Sequence, residues 1–182
     1  SAEKKAAELG LEFATVEPGY LNLCIRTGNL LITSGHTSDQ KGVLGKDVTV
    51  EQGYAAAKDC AIKILRSVRQ THGTLDGLRV IKLLGCVYSA PDFIEQHLVI
   101  NGASDLLHEL YGKDGDGYHA RSAGGFAALC RAQASAASKA TVISALRNLD
   151  IFHLAVFLNQ PGLDGIVVID RAGATHGAQL LV

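Results

Sequence analysis

Residues 49–73 constrain the fold of this chain more than any other stretch. Thr49-Val-Glu-Gln52 fits a capping box, in which the threonine hydroxyl takes one free backbone N–H and the glutamine side chain reaches back to another. From there Tyr54, Ala57, Ala61, Ile64, Leu65 and Val68 recur at three- and four-residue spacing, and Gly73 supplies a left-handed stop. One face of this helix must therefore be covered, and the next run supplies the cover. Leu78 to Tyr88, LRVIKLLGCVY, is almost continuously apolar and rich in β-branched residues, as a central strand should be.

The flanking elements follow from local signals. Ala2 to Leu9 reads as a short helix stopped by Gly10, a surface appendage. Leu21, Leu23 and Ile25 alternate with polar positions, then Thr27-Gly28-Asn29 turns into Leu30-Leu31-Ile32-Thr33, a β-hairpin whose loop has two residues or more. Gly35 to Gly45 reads as an exposed loop. Ser89-Ala-Pro-Asp92 opens a further helical segment, which Gly102 breaks before a second helix from Ala103 to Tyr111. Arg121 to Leu129 and Ala136 to Leu146 are the last strands. The order ββαβαββ predicts an α+β fold, a mixed sheet with two main helices on one face.

At 182 residues the chain can bury one sizeable core, and its 47% hydrophobic and 19% charged content is that of an ordinary globular protein. A net charge of −1, with no Lys/Arg run, gives no attraction to a polyanion, so no nucleic-acid partner is expected. Cys24, Cys60, Cys86 and Cys130 lie far apart in apolar surroundings and read as buried thiols of a reducing compartment. No apolar run approaches the ~20 residues of a membrane span, and the charged start SAEKKAAELG has no secretory core. The expected location is cytoplasmic. Because the chain has no methionine, even at position 1, a processed N-terminus and a mitochondrial location stay open.

The chemistry gathers between Val99 and Ala128, where a helix and a Gly/Asp turn lead to Arg121 at the start of a strand of small residues. A guanidinium carries five donors in a rigid fork that matches a carboxylate, so Arg121 needs a partner: a ligand or an acid across a subunit interface. His119 reads as a turn or interface residue, since the sequence places no carboxylate beside it, and His36 as either a cleft wall or solvent-facing. The seven histidines show no ligand spacing, so no metal is expected. Gly124-Gly125 lacks the strand, helix and lysine of a phosphate loop. The segment GKDGDG, 112–117, lacks the downstream glutamate of a calcium loop and reads as a turn.

Taken in order, GNLLITSGH (28–36), DVTVEQGYAAAKDCAIKIL (47–65), VIKLLGCVYSAPDF (80–93), VINGASDLLHELYG (99–112) and HARSA (119–123) resemble the YjgF/RidA family, also called L-PSP endoribonuclease-like or UK-type translation inhibitors. The resemblance covers roughly residues 11–146. It implies a chorismate-mutase-like fold, a homotrimer with clefts between subunits, no cofactor, and hydrolysis of reactive 2-imino or 2-enamino acids to 2-oxo acids and ammonia. It makes Arg121 the carboxylate anchor and catalytic residue, with backbone beside Ser122 and Ala123 holding the imine nitrogen. Tyr20, Ser34, Gly35, His36 and Ser104 fall at the other substrate-binding positions.

The departures bear on catalysis. Ala123 stands where a cysteine is common in the deaminating branch. The family's closing strand usually brings a glutamate that orients the water, but LCRAQASAASKATVIS has Ala136, Ala137, Ser138 and Lys139 there. The resemblance thus leaves two readings open: an imine/enamine deaminase, or a non-catalytic module that binds a small carboxylate or a protein. An endoribonuclease or translation inhibitor is disfavoured by the lack of a basic, aromatic-rich surface. Residues 1–146 are expected to form the family domain. Residues 147–182, with apolar runs Ile151 to Leu158 and Ile166 to Ile169, lie outside it, either as an extension over a sheet edge or as altered coding sequence from near Leu129.

Overall fold

The computed structural model describes residues 1–17 and 19–126, and by their backbone alone three strands at 140–147, 153–156 and 167–170. The elements are α1 (Ala2–Glu8), β1 (Cys24–Thr27), β2 (Leu30–Thr33), α2 (Val50–His72), β3 (Arg79–Tyr88), α3 (Gln96–Tyr111), a wide π-type turn (Gly112–Asp116), β4 (Ala120–Phe126), β5 (Ala140–Arg147), β6 (His153–Val156) and β7 (Val167–Asp170). They fall into two units, Ser1–Asn148 and Leu149–Val182. In the second, β6 and β7 pair antiparallel, with His153 opposite Asp170 and Val156 opposite Val167.

The first unit holds a five-stranded sheet in the order β1-β2-β5-β3-β4. All its pairs are antiparallel except β3 with β4, which run parallel. The last strand in sequence is thus central, and β4 is an edge. The hairpin loop between β1 and β2 has two residues, Gly28-Asn29, with Gly28 at a φ of 55° that glycine adopts without strain.

The long helix is the one its sequence spells out. Thr49 and Gln52 exchange both capping-box hydrogen bonds, and Gly73 closes the helix at a φ of 93°. Ala57, Ala61, Ile64, Leu65 and Val68 are buried with Val80, Leu83 and Val87 of β3 and Val99, Ile100 and Leu106 of α3, in one core between the helices and a single sheet face. Burying each such Leu, Ile or Val contributes about 1.5–3 kcal/mol. Cys24, Cys60 and Cys86 are buried and form no disulfide with one another, and burial pushes the Cys60 thiol up to about 12. No helix among the described residues is long and apolar enough to cross a membrane.

Three local expectations are corrected. Gly102 does not break α3, which runs unbroken from Gln96, while 89–95 forms turns held by bonds such as Phe93 N–H to the Ala90 carbonyl. A Cβ at Gly102 would overlap the Tyr54 carbonyl oxygen, so this glycine lets α3 lie against the backbone of α2. The hairpin starts at Cys24 rather than Leu21. Finally, α1 is docked rather than appended: Ala2 and Ala6 join the core, and Glu3 accepts from Arg69 Nε and the Leu75 backbone N–H, both at 2.9 Å. Glu3→Ala should therefore cost about 1–2 kcal/mol, read as a lower urea midpoint. An unchanged midpoint would mean that the clamp contributes nothing. The expected strand ends at 127–129 and 136–139, and Cys130, lie outside the described residues.

The other sheet face differs in kind. Strand alternation puts Leu84, Cys86 and Tyr88 of β3 and Leu30 and Ile32 of β2 there, and no helix among the described residues covers them.

Candidate functional site

Arg121 sits on edge strand β4, opposite Leu83 of β3. Its Nη1 donates to Asn101 Oδ1 at 2.8 Å and to Ser104 Oγ at 3.1 Å. These acceptors lie three residues apart on α3 and so share one helical face. Together they use both Nη1 hydrogens. Nε and Nη2 have no partner among the described residues, and Arg121 makes no ion pair there. What remains is a pair of parallel donors along one edge of the guanidinium, the arrangement that binds a carboxylate through two oxygens.

Behind Ser104 stands His119. Its Nδ1 lies 2.6 Å from the Gly117 carbonyl and its Nε2 3.0 Å from Ser104 Oγ, with the His108 ring 5.2 Å away between centroids. Burial holds the His119 pKa below its ordinary 6.5 against the raising effect of the Gly117 bond, and the charges of His108 and Arg121 lower it further. Ser122 faces the other way and accepts from Lys82 Nζ at 2.8 Å. Ala123 is exposed on the edge, where β4 presents backbone that β3 does not pair.

The remaining candidates gather at the far side of the sheet. Ser34 Oγ donates to the Asn22 carbonyl at 2.6 Å, and exposed Gly35 leads into His36. His36 is buried rather than solvent-facing: Nδ1 meets the Ser34 carbonyl at 2.9 Å and Nε2 meets Ser67 Oγ of α2 at 2.8 Å. Tyr20 is fully exposed at the mouth of a cavity of about 350 Å³, lined also by Asn22, Cys24, Gln70 and Thr71. Gln70 pins one wall by exchanging two 2.8 Å bonds with the Val16 backbone.

Sheet topology separates the two clusters. Ile32, Ala145, Lys82 and Ala120 form one rung across β2, β5, β3 and β4. Three strand spacings make about 14 Å, so one small ligand bound at Arg121 is out of reach of Ser34 and His36 in the same chain. Ser104 is 4% exposed and touches Arg121 and His119. Asn101 was not legible as a site residue from spacing or motif, and its only sequence signal is a polar position three residues before Ser104 on an apolar helix face. The stretch 136–139, where the family resemblance calls for an acid, lies outside the described residues.

Buried His36 and half-buried His119 both favour their neutral forms, because desolvation is the largest influence on each and lowers the pKa. The unfolded chain binds protons near pH 6.5, ahead of the folded one. The stability they contribute is therefore complete above that pH and is lost as pH falls below it. Urea midpoints should drop between pH 7 and about 5, and His36→Gln should flatten part of the drop. The same slope in that variant would assign it to other groups.

No protein-family profile matches the chain. Protein TCP17 of Trypanosoma cruzi is 45% identical over 89 residues, a match that spans 48% of this chain and 55%, about half, of that protein. Among solved structures, the protein Atu1372 of unknown function from Agrobacterium tumefaciens is 36% identical at a TM-score of 0.65, over 82% of this chain and 94% of that one. A Shewanella oneidensis protein described as a "putative endoribonuclease" is 25% identical at a TM-score of 0.70, over 82% and 99%.

Proposed function

The chain belongs to the YjgF/RidA, or L-PSP endoribonuclease-like, family, and from that premise we propose that it hydrolyses small 2-imino or 2-enamino acids in clefts between the subunits of a homotrimer. The observation that carries this reading is the Nε/Nη2 edge of Arg121, which has no partner among the described residues and is held in place by Asn101 and Ser104. The clusters at opposite sheet sides support a shared cleft, because a ligand on Arg121 of one subunit can meet Ser34, Gly35, His36 and Tyr20 only from another. The sheet face carrying half-buried Leu30, Ile32, Leu84 and Tyr88, which no helix among the described residues covers, supports a self-assembling surface.

The reaction asks little of a side chain. Water adds to the electrophilic imine carbon as the nitrogen takes a proton, and the resulting carbinolamine expels ammonia to leave the 2-oxo acid. Arg121 anchors the carboxylate next to the reacting carbon, and backbone beside Ser122 and Ala123 holds the nitrogen. Orientation and fixed charge supply the rate.

The absence of an acid from 136–139 favours a second reading, in which the same cleft binds a small carboxylate without turning it over. One assay separates the two. An amino-acid oxidase generates the imine in the presence of semicarbazide, and the deaminase reading expects faster loss of the trappable imine, abolished in Arg121→Ala. No acceleration, with pyruvate binding retained, would leave the binding module.

A further inference from the structure

The guanidinium of Arg121 is held by a chain that reaches beyond the groups it touches. Its Nη1 can only donate, so Ser104 Oγ accepts there at 3.1 Å. The Gly117 carbonyl can only accept, so His119 carries its proton on Nδ1, 2.6 Å away. With Nδ1 protonated and the ring neutral, Nε2 is an acceptor, and the Ser104 hydroxyl proton has one place to go, 3.0 Å away. The directions agree along the whole chain: guanidinium to serine oxygen, serine proton to imidazole nitrogen, imidazole proton to carbonyl.

We propose that His119 is a positioning residue for Arg121, which it holds through Ser104 so that the Nε/Nη2 edge faces the ligand. This rests on the reading of Arg121 as a carboxylate anchor. Ser104 is buried at 4% exposure, so its hydroxyl has no solvent to turn to once the imidazole is lost. A serine released from His119 loses the bond that aims its Oγ lone pair at Nη1. Asn101 is then the one firmly held acceptor among the described residues, and a single such bond lets the guanidinium swing. A charged His119 would likewise turn Nε2 into a second donor on Ser104. The groups that bear on that protonation are His108 of α3, its ring tilted by 38° at 5.2 Å between centroids, and Arg121 itself. Both are cationic or able to become so, and both therefore keep the ring neutral.

The test uses the full-length chain and three readouts. Nitrogen NMR of the wild-type imidazole is expected to show a protonated Nδ1 and a bare Nε2, with the Nε2 resonance moving in Ser104→Ala. Rotation of the Arg121 guanidinium, followed on its Nε resonance without any ligand, is expected to be slow in the wild type, fast in His119→Ala and slow again in His119→Gln, whose Oε1 stands near the place of Nε2. The Kd for pyruvate is expected to rise roughly tenfold in His119→Ala, one hydrogen bond's worth, and to recover in His119→Gln. A protonated Nε2, or a His119→Ala variant whose guanidinium rotates as slowly as the wild type, would overturn the proposal. If Arg121→Ala binds pyruvate as the wild type does, the anchor reading fails by itself, and the ligand-free readouts still decide the role of His119.

Discussion

Arg121→Ala is expected to raise the Kd for pyruvate about a hundredfold, roughly 3 kcal/mol, as measured by calorimetry at pH 7. Two charge-assisted hydrogen bonds are lost with the Nε/Nη2 edge, and nothing among the described residues stands ready to replace them. Arg121→Lys is expected to recover only part of this, since an ammonium keeps the charge and loses the planar fork. The alanine variant should keep its fold, because Arg121 lies on an edge strand and forms no ion pair among the described residues. Equal affinities in wild type and variant would place the carboxylate site elsewhere.

Gly102→Ala is expected to be the most damaging conservative change in the core, at about 3 kcal/mol. In an exposed helix the same change would stabilise by up to about 1 kcal/mol, so local propensity predicts the opposite sign. Packing decides here. A Cβ at Gly102 meets the carbonyl oxygen and carbonyl carbon of Tyr54, which belong to the rigid backbone of α2. Relief requires α3 to move off α2, and α3 carries Asn101 and Ser104, so carboxylate affinity should fall together with the unfolding midpoint. Gly53 is a useful contrast, since its nearest neighbours are the ends of Leu44 and Val99. A Gly102→Ala variant as stable as the wild type would contradict the close approach of the helices.

The same glycine shows where sequence reading stops. Thr49, Gln52 and Gly73 act on their own neighbours in the chain, so their capping roles are legible from spacing alone. Gly102 acts on a helix some fifty residues away, and nothing local tells a packing glycine from a breaking one. In α1 the alanines leave too weak an apolar face to announce docking, and the decisive group, Glu3, is an exposed-looking acid whose partners are Arg69 and Leu75. Within the site, Arg121 is legible because HARSA resembles a family motif. Asn101 and His119 gain their roles only when α3 packs beside β4, across a turn that the sequence describes merely as glycine and aspartate.

A cleft built from two subunits predicts complementation between two variant chains that are each defective alone. One chain carries Arg121→Ala, and a second carries Gly35→Glu, which sets a like charge against the ligand carboxylate from an exposed loop position. Each alone is expected to bind pyruvate at least about a hundredfold more weakly than the wild type. Mixed by reversible dissociation and reassembly, they should regain binding in about one quarter of the clefts, those pairing an intact Arg121 with an intact Gly35 from its neighbour. Mixed assemblies that bind no pyruvate at all would contradict the claim and return the site to a single chain.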